Sequence, residues 1–379
     1  MKVLFVVRPD FLSNSGGDNT QVLDTKMELE KLGVDIELAT NLDGRLNGID
    51  VVHVFNMNPS DFALSCLQNA ARKHVPTTLS PIYWSPMEFI LRGMQGSYAK
   101  RWYDAMSRAL PLPRHLPTAI RDAIVSPSGP RIEEKINGFE RKRQEMSLRL
   151  ADVVLPNSNA ESGHLRSIFG VQADKMQVVY NGVQPDRLRG NHESLSSIFE
   201  PEGFVLYAGR IEARKNTLTL IRACNELGLR LVVIGRVAEG APAAKYGNVC
   251  LAEGKQGSVT FLNELPKESE VLYSAYRSAR VYALPSWYET PGLSSLEAAA
   301  CGCNIVVTTR GSTREYFEDF AWYCNPASKE SVRNAIASAY VHPHSGELQA
   351  RVISKFTWRN SALATIKSYE SVLSEAKRR

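Results

Sequence analysis

Two short stretches in the C-terminal half combine carboxylates and cations in a pattern suited to an activated phosphate. The first runs Leu284-Pro285-Ser286-Trp287-Tyr288-Glu289-Thr290-Pro291-Gly292-Leu293-Ser294-Ser295-Leu296-Glu297 and continues to Gly302. Its pattern predicts a strand ending at Pro285, a loop carrying Glu289, and a helix with its body over 294–300 that stops at Gly302. Backbone N–H groups at a helix start favour a diphosphate. Gly292 lets the backbone approach a ligand closely. Glu289, ahead of the helix, is placed to accept hydrogen bonds from sugar hydroxyls. Glu297, about one turn inside, suits the two adjacent hydroxyls of a ribose. On spacing alone, a loop charge at Glu289 and a surface helix residue at Glu297 fit equally well.

The second stretch is Tyr207-Ala208-Gly209-Arg210-Ile211-Glu212-Ala213-Arg214-Lys215-Asn216, directly after a predicted strand. Cations beyond a strand end can neutralise a departing diphosphate. Arginine suits two-point phosphate contact and lysine acts as a point charge. That assigns Arg210 and Lys215 to the phosphate and leaves Arg214 facing solvent. A solvated basic loop is the alternative. A third feature, Gly16-Gly17 after the first apolar run, is explained equally well by a tight turn. Neither G-x-G-x-x-G nor G-x-x-x-x-G-K-[ST] occurs, which counts against a dinucleotide-dependent dehydrogenase and a P-loop ATPase.

The elements that must position these residues read as two β/α series. In the first, strands are predicted over 2–7, 34–39 and 50–55, with a helix from Thr20 to Leu32 that ends at Gly33. Further strands are expected at 77–79, 153–156 and 177–180. The pattern restarts with strands over 204–208, 229–234, 259–262, 281–284 and 304–308, and a helix over about 218–227. Strand, helix, strand at this spacing is the unit of a parallel sheet. The expected fold class is therefore α/β, with two Rossmann-like domains facing a cleft. The expected bounds are 1–190 and 200–360, with a helix over 361–379 crossing back to the first domain.

The chain has 379 residues, 44% apolar and 22% charged, with a formal net charge of +5. This is a globular composition with material for two cores. Residues 92–149 hold twelve Lys and Arg against six Asp and Glu, the chain's whole positive excess. Such a segment can lie on anionic lipid, with Lys100, Arg101 and Arg108 as contacts, or be a solvated helical face. The net charge is too small to argue for nucleic acid. The six cysteines form no C-x-x-C pair or metal-ligand spacing, which fits a reduced cytosolic protein. No stretch approaches the length of a membrane span, and the start lacks a signal-peptide pattern.

Taken together, these residues resemble the family 4 glycosyltransferases, retaining enzymes of the GT-B fold. The resemblance covers nearly the whole chain in the expected order. Gly16-Gly17 resembles the family's first glycine loop, Asp50-Val51-Val52-His53 its Asp-x-x-His strand, and Asn181-Gly182-Val183 its turn toward the linker. Gly209-Arg210 with Lys215 is similar to its diphosphate-binding pair. Glu289 and Glu297 match its Glu-x7-Glu motif. Gly311, Glu315 and Phe356-Thr357-Trp358 resemble later elements. Two departures stand out. The family's strand-end histidine is replaced by Ser80-Pro81-Ile82-Tyr83, with Ser80 or Tyr83 as substitutes, and its Gly-Phe after the first Glu is Thr290-Pro291 here.

The resemblance implies transfer from a nucleotide sugar, a UDP- or GDP-sugar foremost, with retention and no metal ion. It makes Arg210, Lys215 and Glu289 catalytic. It places Gly16, Gly17, Gly209, Thr290, Pro291, Gly292, Leu293, Ser294 and Glu297 around the donor, and His53, Ser80 and Tyr83 on the acceptor side. The implied acceptor is a glycan or lipid-linked molecule of bacterial cell-envelope polysaccharide or lipopolysaccharide synthesis. The implied location is cytoplasmic or peripheral on the inner membrane face. The rivals are a nucleotide-sugar epimerase, a glycogen-synthase-like polymerase and a non-catalytic nucleotide-sugar-binding protein.

Overall fold

The computed structural model describes residues 1–13, 16–42, 44–93, 130–188 and 203–378, with backbone alone for 91 and 130–139. Asn14, Ser15, Lys100, Arg101, Arg108 and much of the basic segment 92–149 lie outside the described residues. Two compact units emerge. Among the described residues, unit 1 holds 1–84, 130–182 and 355–378, and unit 2 holds 85–93, 183–188 and 203–354.

Unit 1 begins with β1 (Lys2–Val6), α1 (Gly17–Lys31), β2 (Asp35–Ala39) and β3 (Val51–Phe55). It continues with α2 (Ser60–Arg72), β4 (Thr77–Ser80), α3 (Pro130–Leu150), β5 (Val153–Val154) and α4 (Asn159–Phe169). The sheet order is β2-β1-β3-β4-β5, and every pairing is parallel. Helices cover both faces, so the inner strands β1 and β3 are buried almost from end to end. Successive side chains still alternate in direction. Leu4 and Val6 join one buried cluster with Val52, Val54, Leu67 and Leu165. Val3, Phe5 and Val7 join the other with Val22, Leu29 and Val51.

Unit 2 contains β6 (Val205–Ala208), α5 (Thr217–Leu227), β7 (Leu231–Ile234), α6 (Ala241–Gly254) and β8 (Val259–Leu262). It then adds α7 (Glu270–Ser278), β9 (Val281–Leu284), α8 (Leu293–Ala300), β10 (Asn304–Thr308) and α9 (Thr313–Phe317). β11 (Trp322–Cys324), α10 (Lys329–Val341) and α11 (Gly346–Lys355) complete it. Its sheet, again parallel, runs β11-β10-β9-β6-β7-β8. The chain moves outward from β6 through β7 to β8, then returns to β9 on the other side. The order therefore reverses between β6 and β9, and ligands of open α/β sheets bind beyond the strand ends at such a point.

The chain re-enters unit 1 as α12 (Trp358–Ala376). Thr357 caps this helix by accepting the Asn360 N–H at 3.1 Å. Ala362 and Tyr369 sit in the same buried cluster as Val3 and Phe5.

Two expectations need correction. Residues 177–180 form no strand. Gln177 and Val179 donate to the carbonyls of Val154 and Pro156, both at 2.9 Å, but Pro156 has no N–H to return. Only a bridge at Met176 remains. The Gly-rich loop is also shorter than expected, because α1 starts at Gly17. Gly16 N–H donates to Asn19 Oδ1 at 2.8 Å, and Arg8 pairs with Asp18 at 2.7 Å. These contacts hold a helix start that carries no capping side chain of its own.

Candidate functional site

The loops beyond β6 and β9 meet at the reversal point of the unit 2 sheet. After β6 the chain passes Gly209 and Arg210 and makes a single tight turn over Ala213–Lys215. Asn216 then takes the left-handed conformation, with φ 60°, which asparagine tolerates better than most residues. Its amide donates to the carbonyls of Pro285 at 3.1 Å and Pro326 at 2.9 Å, and its oxygen accepts from the Thr219 hydroxyl at 2.7 Å. Trp287 N–H donates to the Arg214 carbonyl at 2.8 Å. One asparagine side chain thus joins three loops.

This stitching brings together two residues that are 74 positions apart. Lys215 Nζ lies 2.6 Å from Glu289 Oε1. The side chains are 17% and 6% exposed, so the pair is largely withdrawn from water. Burial raises the Glu289 carboxyl pKa, but Lys215 and Arg214 outweigh it and hold the group below the ordinary value. Burial lowers the Lys215 pKa, with Glu289 working the other way. A carboxyl depressed on folding contributes stability that is present above its unfolded pKa. That stability is lost as pH falls through the folded value. The pair is therefore intact at neutral pH.

Arg214 does not face solvent as expected. It pairs with Glu212 at 2.8 Å and approaches Glu289 at 3.9 Å. It also donates to the Tyr288 carbonyl at 3.3 Å and lies 5.2 Å from the Tyr288 ring centre. The cation–π contact and the two carboxylates supply what water would have given it. Arg210 is half-buried, and the Tyr207 hydroxyl donates to its carbonyl at 2.6 Å.

The Glu289 backbone is fixed from the other side. It forms a parallel bridge with Gly311, its N–H donates to the Arg310 carbonyl at 3.3 Å, and its carbonyl accepts the Ser312 N–H at 2.9 Å. Glu88, from the short segment 85–93, takes Arg310 in a two-point ion pair at 2.7 and 2.9 Å. Nothing in the sequence marks that partnership.

Gly292, with φ 86°, turns the chain into α8. Thr290, Leu293, Ser294 and Glu297 are half-buried, and Pro291 and Gly292 are buried. The Tyr282 hydroxyl lies 3.0 Å from the Ala208 carbonyl and 2.7 Å from Ser294 Oγ. One phenol therefore links the end of β6 to the first turn of α8. Tyr276 donates to Glu297 Oε2 at 3.2 Å. Sequence reasoning missed both tyrosines, because in a buried strand or helix a tyrosine reads as core. Among the described residues, no three His, Cys, Asp or Glu side chains stand together as a metal site. No described helix is long and apolar enough to cross a membrane.

The remaining site candidates belong to unit 1. Gly16 is extended and precedes α1, and Gly17 is its exposed first residue. The His53 and Ser80 side chains are buried and hydrogen-bonded to each other. His53 is 1% exposed, with Nδ1 2.6 Å from the Tyr369 hydroxyl and Nε2 2.9 Å from Ser80 Oγ. It stacks on Phe55 at 3.9 Å between ring centres. The imidazole thus ties β3 to β4 and to α12. Tyr83 is buried against His164 and Phe169. Its N–H donates to Glu161 Oε1 at 2.6 Å, while Asn157 N–H donates to Oε2 at 2.7 Å. Burial pushes that carboxyl up to about 7, against the pull of the two N–H groups.

Burial alone pushes the His53 imidazole down to about 3 from an ordinary 6.5. The folded chain keeps it neutral while the unfolded chain protonates it. Stability from this group is present above pH 6.5 and falls as the medium acidifies. Between pH 7 and pH 5 the loss is about 2 kcal/mol. Urea unfolding of the wild type and His53→Gln at both pH values should show that much less loss in the variant. Equal pH dependence would refute the assignment. His164, also lowered by burial, titrates in both proteins and cancels from the comparison.

Residues 191–355 match the family model described as "Glycosyl transferases group 1". D-inositol 3-phosphate glycosyltransferase of Mycolicibacterium smegmatis is 27% identical over 324 residues, covering 79% of this chain and 72% of that protein. The protein of the same name from Mycobacteroides abscessus is 25% identical over 391 aligned positions, 96% of this chain and 86% of that one. Among solved structures, sucrose-phosphate synthase from Thermosynechococcus elongatus superposes with a TM-score of 0.75 at 15% identity, over 99% of this chain and 100% of that one. Anabaena HepE in complex with UDP gives 0.65 at 15% identity, over 98% and 100%. The structural likenesses show the fold, two Rossmann-like units of the GT-B type. The group 1 match spans most of unit 2, including the Lys215–Glu289 pair, and over that stretch the chain is similar to glycosyltransferases of this group.

Proposed function

We propose that the chain moves a sugar from a nucleotide-sugar donor, a UDP- or GDP-sugar, to an acceptor hydroxyl, with retention of anomeric configuration and no metal ion. The observation that carries the proposal is the shielded Lys215–Glu289 pair at the reversal point of the unit 2 sheet. Arg210, Lys215 and the N–H groups at the start of α8 hold the diphosphate as it departs. Glu289 orients the donor sugar, and Glu297 receives the ribose. The acceptor hydroxyl attacks the anomeric carbon from the face the diphosphate leaves. The new carbon–oxygen bond forms as the old one breaks, and a departing phosphate oxygen takes the hydroxyl proton. Glu289 is not a nucleophile here, unlike the paired carboxylates of glycoside hydrolases.

In this reading unit 2 binds the donor and unit 1 the acceptor, at the cytosolic side of the membrane. The acceptor is a glycan or lipid-linked molecule of bacterial cell-envelope polysaccharide or lipopolysaccharide synthesis, with peripheral lipid contact through 92–149. A second acceptor, a phosphorylated cyclitol, is favoured by the D-inositol 3-phosphate glycosyltransferase of Mycobacteroides abscessus, which aligns over 96% of this chain.

A thermal-shift screen with UDP-, GDP-, ADP- and CMP-sugars tests the donor. A ligand at one hundred times its Kd stabilises the folded state by about 2.7 kcal/mol. A UDP- or GDP-sugar should raise Tm, and should do so equally in excess EDTA. Incubating the responding donor with inositol 3-phosphate and with lipid-linked glycans then separates the acceptors. Proton NMR of the product reads the anomer. An inverted product, or no Tm response to any nucleotide sugar, would sink the proposal.

A further inference from the structure

Glu297 is not left to choose its own rotamer. Tyr276, on the neighbouring helix α7, is 1% exposed, and its hydroxyl reaches Glu297 Oε2. The ring is boxed in. It stands edge-on to Tyr282 at 5.8 Å and 60° and to Tyr273 at 6.1 Å and 62°. Its own carbonyl accepts from the Cys303 thiol at 2.7 Å, so the backbone beneath the ring is held too. An ionised carboxylate is acceptor-only, so the phenol is the donor in this contact. A phenylalanine would fill the same volume. What the hydroxyl adds is direction.

We propose that Tyr276 is a positioning residue for the nucleotide: its hydroxyl fixes the Glu297 carboxylate in the orientation that receives the two adjacent ribose hydroxyls. This rests on the assignment of Glu297 to the ribose made above. A carboxylate offers about four lone-pair sites, and the Tyr276 hydrogen bond takes one of them. The same contact also sets selectivity. A carboxylate held in place for two hydroxyls discriminates against a nucleotide that lacks them, whereas a carboxylate free to rotate re-solvates and discriminates less. Tyr282 does the parallel task for Ser294 and the end of β6, so two buried phenols in ring contact hold α8.

The test is the ribose preference, defined as the Kd of a 2′,3′-dideoxynucleoside diphosphate divided by that of the parent. Calorimetry with UDP, GDP and ADP identifies the parent that binds, and its dideoxy form is the second probe. Tyr276→Phe should lower the preference about 5- to 10-fold, by weakening the parent while leaving the dideoxy probe unchanged. Glu297→Gln should lower it at least as far, and the double variant no further than Glu297→Gln alone. A merely structural phenol would lower Tm and weaken both probes alike, which overturns the proposal. An unchanged preference in Tyr276→Phe with a collapsed one in Glu297→Gln also overturns it, while sparing the ribose assignment. A preserved preference in Glu297→Gln removes the ribose assignment and this proposal together.

Discussion

Lys215→Met is expected to lower kcat by about 10²- to 10³-fold, the size of effect seen when one charge-stabilising donor is removed from a reacting centre. The variant loses the point charge proposed to meet the diphosphate. It also strips Glu289 of its nearest cation, 2.6 Å away. Breaking a buried pair by deleting one partner costs about 3–5 kcal/mol, because the other charge is stranded. Arg214, 3.9 Å from the same oxygen, softens that cost. The two losses need separating, and Lys215→Met/Glu289→Gln does so. With both charges gone, the double variant should recover most of the stability in urea unfolding. Its turnover should stay at or below that of Lys215→Met. A double variant that regains activity along with stability would show that Lys215 matters only for the fold, and the donor reading would fall with it.

Gly311→Ala is expected to abolish measurable transfer and to destabilise the chain by about 2–5 kcal/mol. Two costs combine. Gly311 has φ +95°, a conformation that L side chains rarely adopt. A methyl group there would also stand 1.9 Å from the backbone oxygen of Glu289. That oxygen cannot swing aside as a side chain would, since it accepts the Ser312 N–H and belongs to the bridge. The whole Glu289 segment must move, and the carboxylate moves with it. Gly302→Ala is the control within the same unit. Its φ is +91°, but the nearest atoms an added methyl would meet are those of the flexible Gln349 side chain at 4.0 Å. It should incur only the conformational cost, about 1–2 kcal/mol, and keep its activity. Equal activity losses in the two alanines would refute the idea that backbone contact with Glu289 is what matters.

The β/α order was legible because a parallel sheet covered on both faces leaves unbroken apolar runs. Strands such as Leu231–Ile234 and Val281–Leu284 start and stop where those runs do. Trp322–Cys324 escaped notice because three residues between polar turns carry no period. At the site, residue type revealed Lys215 and Glu289 separately, but only the crossing between β6 and β9 makes them partners. Arg214 was misjudged, and the network around His53 went unseen, for one reason. Charge and polarity suggest exposure or ligand contact, and the partners that quench them lie far away in sequence, at Tyr288, Glu289 and Tyr369. Glu88 with Arg310 and Tyr276 with Glu297 were invisible on the same ground.

The route of the chain between units has a consequence for biosynthesis. Unit 2 draws its sheet and helices from an almost unbroken run, 203–354. Unit 1 has no complete core until α12 arrives, since Ala362 and Tyr369 fill the cluster around Val3 and Phe5, and Tyr369 holds His53. On the ribosome, domains generally finish in the order they emerge. Here β1 waits for α12 to complete its cover, while unit 2 closes ahead of it. During that interval the face of β1 that carries Val3 and Phe5 has α1 against it but lacks the cover of Ala362 and Tyr369. A nascent chain stalled before residue 358 should leave Val3 and Phe5 without their cover from Ala362 and Tyr369, a surface suited to chaperone binding.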